Sequence, residues 1–266
     1  MAHPVFSSVL PAARVIFALI LRDMSATYGR SYLGYAWAYL APFGIITLLA
    51  IGFALIIPTP PLGRDFLLFY ATGFLPFEMF FQLSQRLKDS LRFSRAILSY
   101  PRITWMDLVI ARLALHGITQ LAVFCAVIGV IMATRDTGAA LAPAAIASAL
   151  GLTAALGFGI GLMNAALIAY FPSWDRIWGV LSRPLIFASG VFFLYEGLPP
   201  AALTGPLGLI LWLNPLLHIT GLMRQGFYAE YSGDFIAPLY VAALAMTAIA
   251  MGLALLRYGY AKAVAR

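Results

Sequence analysis

The sequence predicts an all-α membrane protein with six transmembrane helices, and three observations lead to that class. Of the 266 residues, 62% are hydrophobic and only 10% are charged, with a mean hydropathy of +0.91. Soluble domains carry roughly 25% charged residues. Apolar runs long enough to cross about 30 Å of hydrocarbon recur along the chain, and basic residues gather in alternate connections between them. A polytopic membrane protein is therefore expected.

Residues 1–266 are expected to form a single transmembrane permease domain, because no repeat, low-complexity tract or linker divides them. Residues 1–32 are predicted to be cytoplasmic or interfacial, and residues 33–195 to contain spans one to five. An extracytoplasmic re-entrant region is predicted over 196–235, followed by the sixth span and a cytoplasmic tail over 236–266.

Six windows of roughly 20 apolar residues define the predicted spans. They are Leu33–Ile57, Phe66–Leu83, Trp105–Ala133, Leu141–Tyr170, Ile177–Tyr195 and Ile236–Leu256. An even number of spans places both termini on one side of the membrane. Basic residues exceed acidic ones in the N-terminal segment, in the loop after the second span and in the tail. Since arginine and lysine concentrate on the cytoplasmic side, both termini are predicted to be cytoplasmic.

One further apolar segment, Leu203–Ile219, is interrupted by Gly205-Pro206 and by Asn214-Pro215. If it crossed the membrane, the basic tail would lie outside, against the charge rule. We therefore predict a re-entrant pair of short helices, which leaves Arg224 among the charges of an external loop. Irregular backbone at membrane depth persists only where protein or a water-filled cavity satisfies it. Asn214, Pro215 and His218 are accordingly candidate functional residues.

The N-terminal stretch Val5–Leu21 is predicted to be an amphipathic helix on the cytoplasmic surface. Its continuous apolar part is short, charged Arg22-Asp23 follows it, and it contains no small-residue cleavage site, so a signal peptide is not expected. A simple anchoring helix is the alternative. Arg22 and Arg30 are expected at the level of the lipid headgroups.

Motifs for catalysis, metal binding and nucleotide binding are absent from the sequence. No serine-hydrolase or zinc-protease motif is present, and neither Lys88 nor Lys262 follows a glycine-rich phosphate loop. We expect no enzyme, no metal site and no cofactor on this chain, and no binding to nucleic acid. An ion-coupled carrier or an intramembrane enzyme would need ionisable residues that converge at the midplane. The glycines of the fourth span indicate close helix packing.

The loop after the second span combines basic residues with apolar residues at helical spacing and then reaches Pro101. Such a segment could dock into a groove on a cytoplasmic partner, or lie on lipid headgroups.

In order and spacing, several short segments resemble the membrane permease of bacterial ABC transporters that export capsular polysaccharide, a type 2 ABC exporter family. The resemblance runs nearly end to end. Its segments are Leu21-Arg22-Asp23, Arg30, Leu33-Gly34-Tyr35-Ala36-Trp37 with Pro42, Gly73-Phe74-Leu75-Pro76-Phe77, Pro101 with Asp107 and Ile110-Ala111-Arg112, Arg183-Pro184-Leu185, and Trp212-Leu213-Asn214-Pro215-Leu216-Leu217-His218. Where such permeases often carry an acidic residue shortly after the last segment, Leu222 stands here.

The resemblance implies a homodimer of six-span permeases in the bacterial inner membrane, joined to two ATP-binding cassette subunits that hold ATP and Mg²⁺. Its cargo would be a lipid-linked polysaccharide, handed to a periplasmic polysaccharide co-polymerase or adaptor. Exporters of O-antigen or teichoic acid look similar and remain alternatives. Contact with the ATPase would fall on the loop residues Arg95, Ile97, Leu98, Tyr100, Pro101 and Arg102.

Aromatic residues are the predicted substrate path, because rings offer flat apolar faces for sugar rings and the chain is 14% aromatic. In similar exporters the first and fifth spans face the channel. The candidates are Tyr28, Tyr32, Tyr35, Trp37, Tyr39, Phe187, Phe192, Phe193 and Tyr195. An interfacial aromatic belt is the competing interpretation.

Overall fold

The structure is a computed structural model that describes residues 6–28, 34–90 and 103–265. Within those ranges all regular secondary structure is helical. In chain order the helices are α1 (Phe6–Tyr28), α2 (Gly34–Ala54), α3 (Phe66–Lys88), α4 (Trp105–Thr134), α5 (Pro143–Tyr170), α6 (Trp174–Ser182), α7 (Leu185–Ala188), α8 (Pro200–Leu203), α9 (Pro206–Trp212), α10 (Pro215–Gln225) and α11 (Pro238–Ala265).

Five of these helices are long and apolar enough to cross a membrane, namely α2, α3, α4, α5 and α11. They correspond to five of the six predicted spans. In α3, 72% of the most apolar window is buried inside the protein, against 17% in α2. Helix α3 is therefore central, and α2 leaves most of its apolar surface to lipid or to another protein.

The predicted fifth span is not a continuous helix, and that part of the sequence prediction is wrong. The segment forms α6 and the single turn α7, separated at Arg183-Pro184, and then irregular backbone. Proline has no backbone N–H to donate and its ring crowds the preceding turn. The chain then bends at Gly190, whose φ of +71° lies in the left-handed region that favours glycine. A count of apolar residues does not register either break.

The apolar segment after it does break where the sequence predicts. Helices α9 and α10 meet at an angle of 70°. Asn214 caps α10 by accepting a hydrogen bond from the N–H of Leu216, and Pro215 occupies the first helical position. A bent span and a re-entrant pair share this geometry, so re-entry itself stays a prediction.

The N-terminal helix α1 continues past Leu21 through the charged pair Arg22-Asp23. Its apolar residues pack against Leu108 and Ala111 at the start of α4. This contact joins the N-terminal segment to the bundle, while its position on a membrane surface stays a prediction.

Close packing of α5 against its two neighbours depends on glycine, as the sequence predicts. A Cβ atom at Gly157 would lie 3.0 Å from Cβ of Leu83 on α3, and one at Gly161 would lie 2.6 Å from Cβ of Leu87. On the other side of α5, a Cβ at Gly159 would lie 2.9 Å from the backbone oxygen of Ala245 on α11. These glycines let three helix backbones approach closely, which is how van der Waals packing holds helices together in a membrane.

We predict that Gly159→Ala lowers the stability of the protein by about 1–3 kcal/mol, the usual cost of overpacking a tight interface. The matched control is Gly151→Ala on the same helix, where an added Cβ meets no atom within 4 Å. That control should be neutral or slightly stabilising, because alanine favours helix more than glycine does. Thermal unfolding of the purified chain in detergent compares the two variants. Equal unfolding temperatures would contradict the packing described.

Candidate functional site

A buried arginine fixes the irregular segment that follows α7. Arg224, in the last turn of α10, is 2% exposed. Its Nη1 donates to the backbone oxygen of Phe193 at 2.9 Å, and its Nη2 donates to that of Val191 at 3.3 Å. The guanidinium carbon lies 4.3 Å from the centre of the Phe69 ring on α3, a cation–π geometry. Arg224 therefore joins α10, α3 and the segment after Gly190.

The sequence counts Arg224 among the charges of an external loop, and that side stays a prediction; the structure adds that its side chain is buried inside the protein. Helical periodicity could not have found this, because every residue of α10 from Leu216 to Arg224 is buried and the helix has no exposed face over that range. Gly73 of α3 makes room for the segment that Arg224 holds, since a Cβ there would lie 3.0 Å from Cα of Val191.

Two of the predicted path residues start a row of aromatic rings. Phe187 stacks on Phe192 with a centroid distance of 5.4 Å, and Phe192 stacks on Phe53 of α2 at 6.0 Å. Phe53 in turn lies 5.2 Å from the buried ring of Tyr70. The outer ring, Phe187, is 67% exposed. The sequence missed Phe53, which lies about four helical turns beyond Tyr39 on α2. The row links that helix to the broken segment.

The other predicted path residues are placed differently. Tyr195 packs on Phe235 at 4.7 Å and donates its hydroxyl to the backbone oxygen of Gly208 at 3.3 Å. Phe193 contributes its backbone oxygen to the Arg224 contact.

Trp37 on α2 is 69% exposed, whereas Tyr39 packs against the core. Tyr28 and Tyr35 lie on α1 and α2, with side chains outside the described part of the structure. Tyr32 and Arg30 also lie outside the described residues, as do all the predicted contacts with the ATPase: Arg95, Ile97, Leu98, Tyr100, Pro101 and Arg102.

Hydrogen bonds of Asn214 and His218 stabilise the bend between α9 and α10. The Asn214 amide donates to the backbone oxygen of Ala188 at 2.9 Å, which ties the bend to α7. The Nε2 atom of His218 lies 2.7 Å from the backbone oxygen of Trp212, and its Nδ1 accepts from the N–H of Ala237 at 3.3 Å. Because one ring nitrogen faces a carbonyl and the other an N–H, the imidazole is neutral with its proton on Nε2. These two side chains hold backbone together in this conformation.

A polar pair joins two connecting segments of the same region. The Tyr231 hydroxyl donates to a carboxylate oxygen of Glu196 at 3.1 Å. Burial raises the pKa of Tyr231, and the neighbouring Glu196 carboxylate raises it further. Tyr231 therefore remains a protonated donor at neutral pH.

At the other end of the bundle, Asp23 of α1 joins two arginines. One of its carboxylate oxygens accepts from Arg22, and the other accepts from Nε of Arg112 on α4 at 3.1 Å. Arg22, which the sequence assigns to the headgroup level, is thus partly neutralised within the protein. The backbone oxygen of Arg86 on α3 accepts from Arg112 at 3.4 Å.

The C-terminal end of α3 is also bound to α6. Nζ of Lys88, the last residue of α3, lies 2.6 Å from a carboxylate oxygen of Asp175, and the Lys88 side chain is only 10% exposed. One residue before Asp175, the indole N–H of Trp174 donates to the amide oxygen of Asn164 on α5 at 2.8 Å. The start of α6 is therefore held from both α3 and α5. A movement of the end of α3 would reach α6 directly.

Comparison with known proteins identifies the family. The sequence profile of the ABC-2 type transporter family matches residues 14–228, which is most of the chain. The chain belongs to the ABC-2 type transporter family. Chains of this family are the membrane subunits of ABC transporters.

Several curated relatives match this ABC-2 family chain over most of their length. It is 26% identical to the polysialic acid transport protein KpsM of Escherichia coli, over 90% of this chain and 91% of that protein. It is 29% identical to the capsule polysaccharide export inner-membrane protein BexB of Haemophilus influenzae, over 82% and 80%. It is 24% identical to the corresponding protein CtrC of Neisseria meningitidis serogroup B, over 91% and 89%.

We predict that Lys88→Glu and Asp175→Lys each lower the stability of the chain, and that the double variant recovers a large part of the loss. A partly buried charge without its partner costs more than an exposed one, and reversal of both charges restores the attraction. Exposed Arg176→Glu, next to Asp175, is the control for adding a negative charge to α6. Thermal unfolding of the wild type, the two single variants and the double variant gives the coupling energy between Lys88 and Asp175. Losses that simply add in the double variant would show that the pair does not interact.

Proposed function

We propose that this chain is the membrane-spanning permease of an ATP-driven exporter that moves lipid-anchored capsular polysaccharide across the bacterial inner membrane. The observation that carries the proposal is the end-to-end match to KpsM and its counterparts, whose names assign them to polysialic acid transport and capsule polysaccharide export. The five long apolar helices agree with an inner-membrane location.

The proposal divides the work between subunits. Two copies of this permease would form the channel between them, and two separate ATP-binding cassette subunits would bind ATP and Mg²⁺ and hydrolyse ATP. The sequence carries no phosphate-binding loop of its own, which fits that division. A periplasmic polysaccharide co-polymerase or adaptor would receive the polymer.

The aromatic row is our candidate for contact with the glycan. The exposed ring of Phe187 offers an apolar face, and Phe192 and Phe53 stack behind it and support it. Stacking of sugar rings on such faces needs no fixed hydrogen-bond pattern, so a polymer of repeating units can slide along it. Trp37, exposed on α2, would extend this contact toward the cytoplasmic side.

Coupling to the ATPase would run through the segment between α3 and α4. Residues Arg95 to Arg102 would contact the ATPase, and the Lys88–Asp175 contact would carry a displacement of α3 to α6 and the aromatic row. With both termini in the cytoplasm, this segment faces the ATPase side.

We predict that cells without this chain retain their capsular polymer inside and display none, and that the wild-type gene restores display. The double variant Phe187→Ala and Phe192→Ala should restore it poorly, because the outer part of the aromatic row is lost. Tyr258→Ala, which removes a ring that is 83% exposed on α11, is the control and should restore display fully. Surface polymer is measured with a capsule-specific antibody and internal polymer after lysis.

Normal surface display in cells that lack the chain would refute the export function. Equal export by the double variant and the Tyr258→Ala control would refute the aromatic path alone.

A further inference from the structure

A charged cavity of about 550 Å³ lies where α1, α3 and α4 meet. Six of the seven described residues that line it are ionisable. They are Arg22, Asp23, Ala26, Arg86, Asp89, Arg112 and His116. A cavity of this size falls within the range of small-ligand sites.

Helical spacing places these side chains on the faces of their helices that line the cavity. Arg22 and Ala26 are four residues apart on α1, and Arg112 and His116 are four residues apart on α4. Residues at this spacing share one face of a helix. Arg86 lies in the last turn of α3. Three helices thus turn a basic face toward the cavity, and the small side chain of Ala26 leaves room in it.

Asp23 holds two of the three arginines in place. It accepts hydrogen bonds from Arg22 and from Arg112 through different carboxylate oxygens. An arginine has five N–H donors, and Arg22 uses only those of Nε and Nη2 in its contacts with Asp23. Nη1 of Arg22 is buried and makes no hydrogen bond within the described structure. A ligand with a hydrogen-bond acceptor in the cavity could satisfy this atom.

His116 adds a neutral polar group to the cavity. The residue is 7% exposed and lines the cavity on α4. The imidazole can donate one N–H to an acceptor in the cavity.

The net charge of the residues that line the cavity favours an anionic ligand. Three arginines face two aspartates, so the described lining carries one net positive charge with His116 neutral. A phosphodiester carries one negative charge and presents several acceptor oxygens, and arginine binds phosphate through two parallel N–H donors. The sequence also predicts Arg22 at the level of the lipid headgroups.

We propose that this cavity binds the phosphate ester of a membrane phospholipid headgroup, held by Arg22, Arg86, Arg112 and His116. The lipid would wedge α1 against the start of α4 and the end of α3. Lipid binding at this site requires neither ATP nor a glycan, so it can be tested independently of the proposed export function.

The test is lipid binding to the full chain, purified in a non-ionic detergent and followed by native mass spectrometry. The probes are dioleoylphosphatidylglycerol, dioleoylglycerol with the same tails and no phosphate, and glycerol 3-phosphate with no tails. The variants are Arg86→Gln and His116→Phe, which remove donors from the cavity. Arg176→Gln is the matched control, because it is an exposed arginine near the same end of the bundle that does not line the cavity. Unfolding temperatures without lipid check that each variant folds.

The expected result is preference for phosphatidylglycerol over diacylglycerol, with binding about tenfold weaker in each cavity variant, the usual loss for one hydrogen bond to a charged group. The control should bind as the wild type does. Equal affinity of glycerol 3-phosphate and the lipid would assign the cavity to a soluble phosphate ester, while binding of the lipid alone would assign it to the membrane. Equal binding of both lipids, or cavity variants that behave as the control does, would overturn the proposal.

Discussion

The position of one buried cation, the guanidinium of Arg224, constrains the rest of the structure. A charge of this kind is costly inside a protein unless hydrogen bonds satisfy it, and here backbone oxygens of Val191 and Phe193 accept from it. Those oxygens need the arginine equally, because the chain after Gly190 is not helical and offers them no intrahelical donor. Each side therefore removes an unsatisfied polar group from the other, at about 1–3 kcal/mol for each group. The face of the Phe69 ring fixes the guanidinium plane above α3.

This constraint attaches the broken segment to the closely packed centre of the bundle. Helices α3, α5 and α11 approach closely at glycines, and Arg224 attaches the broken segment to that centre. The aromatic row then runs outward from Tyr70 through Phe53 and Phe192 to the exposed Phe187. A substrate can reach the exposed ring of Phe187, and the packed helices behind the row support that ring. The hydrogen bonds of Arg224 hold the backbone on either side of Phe192, and the ion pair of Lys88 with Asp175 joins α6 to the C-terminal end of α3.

The sequence predicts well the features that depend on local composition. Five spans follow from hydropathy, the break at Asn214-Pro215 from proline and capping chemistry, and close packing from the glycines of α5. The continuous fifth span was wrong, because a hydropathy window weighs Pro184 and Gly190 lightly although each interrupts a helix. Contacts between distant residues could not be predicted. Asp23 and Arg112 are 89 residues apart, and Lys88 and Asp175 are 87 apart, so only the packed helices bring their charges together.

Hydrogen–deuterium exchange over residues 190–195 tests the role of Arg224 most directly. The wild type is compared with Arg224→Lys, which keeps the charge but lacks the planar fork that reaches two carbonyls, and with exposed Arg135→Lys as a control. If Arg224 holds the segment, these amides are protected in the wild type and the control, and exchange at least tenfold faster in Arg224→Lys. Equal protection in all three proteins would show that apolar packing alone fixes the segment, and would contradict the account.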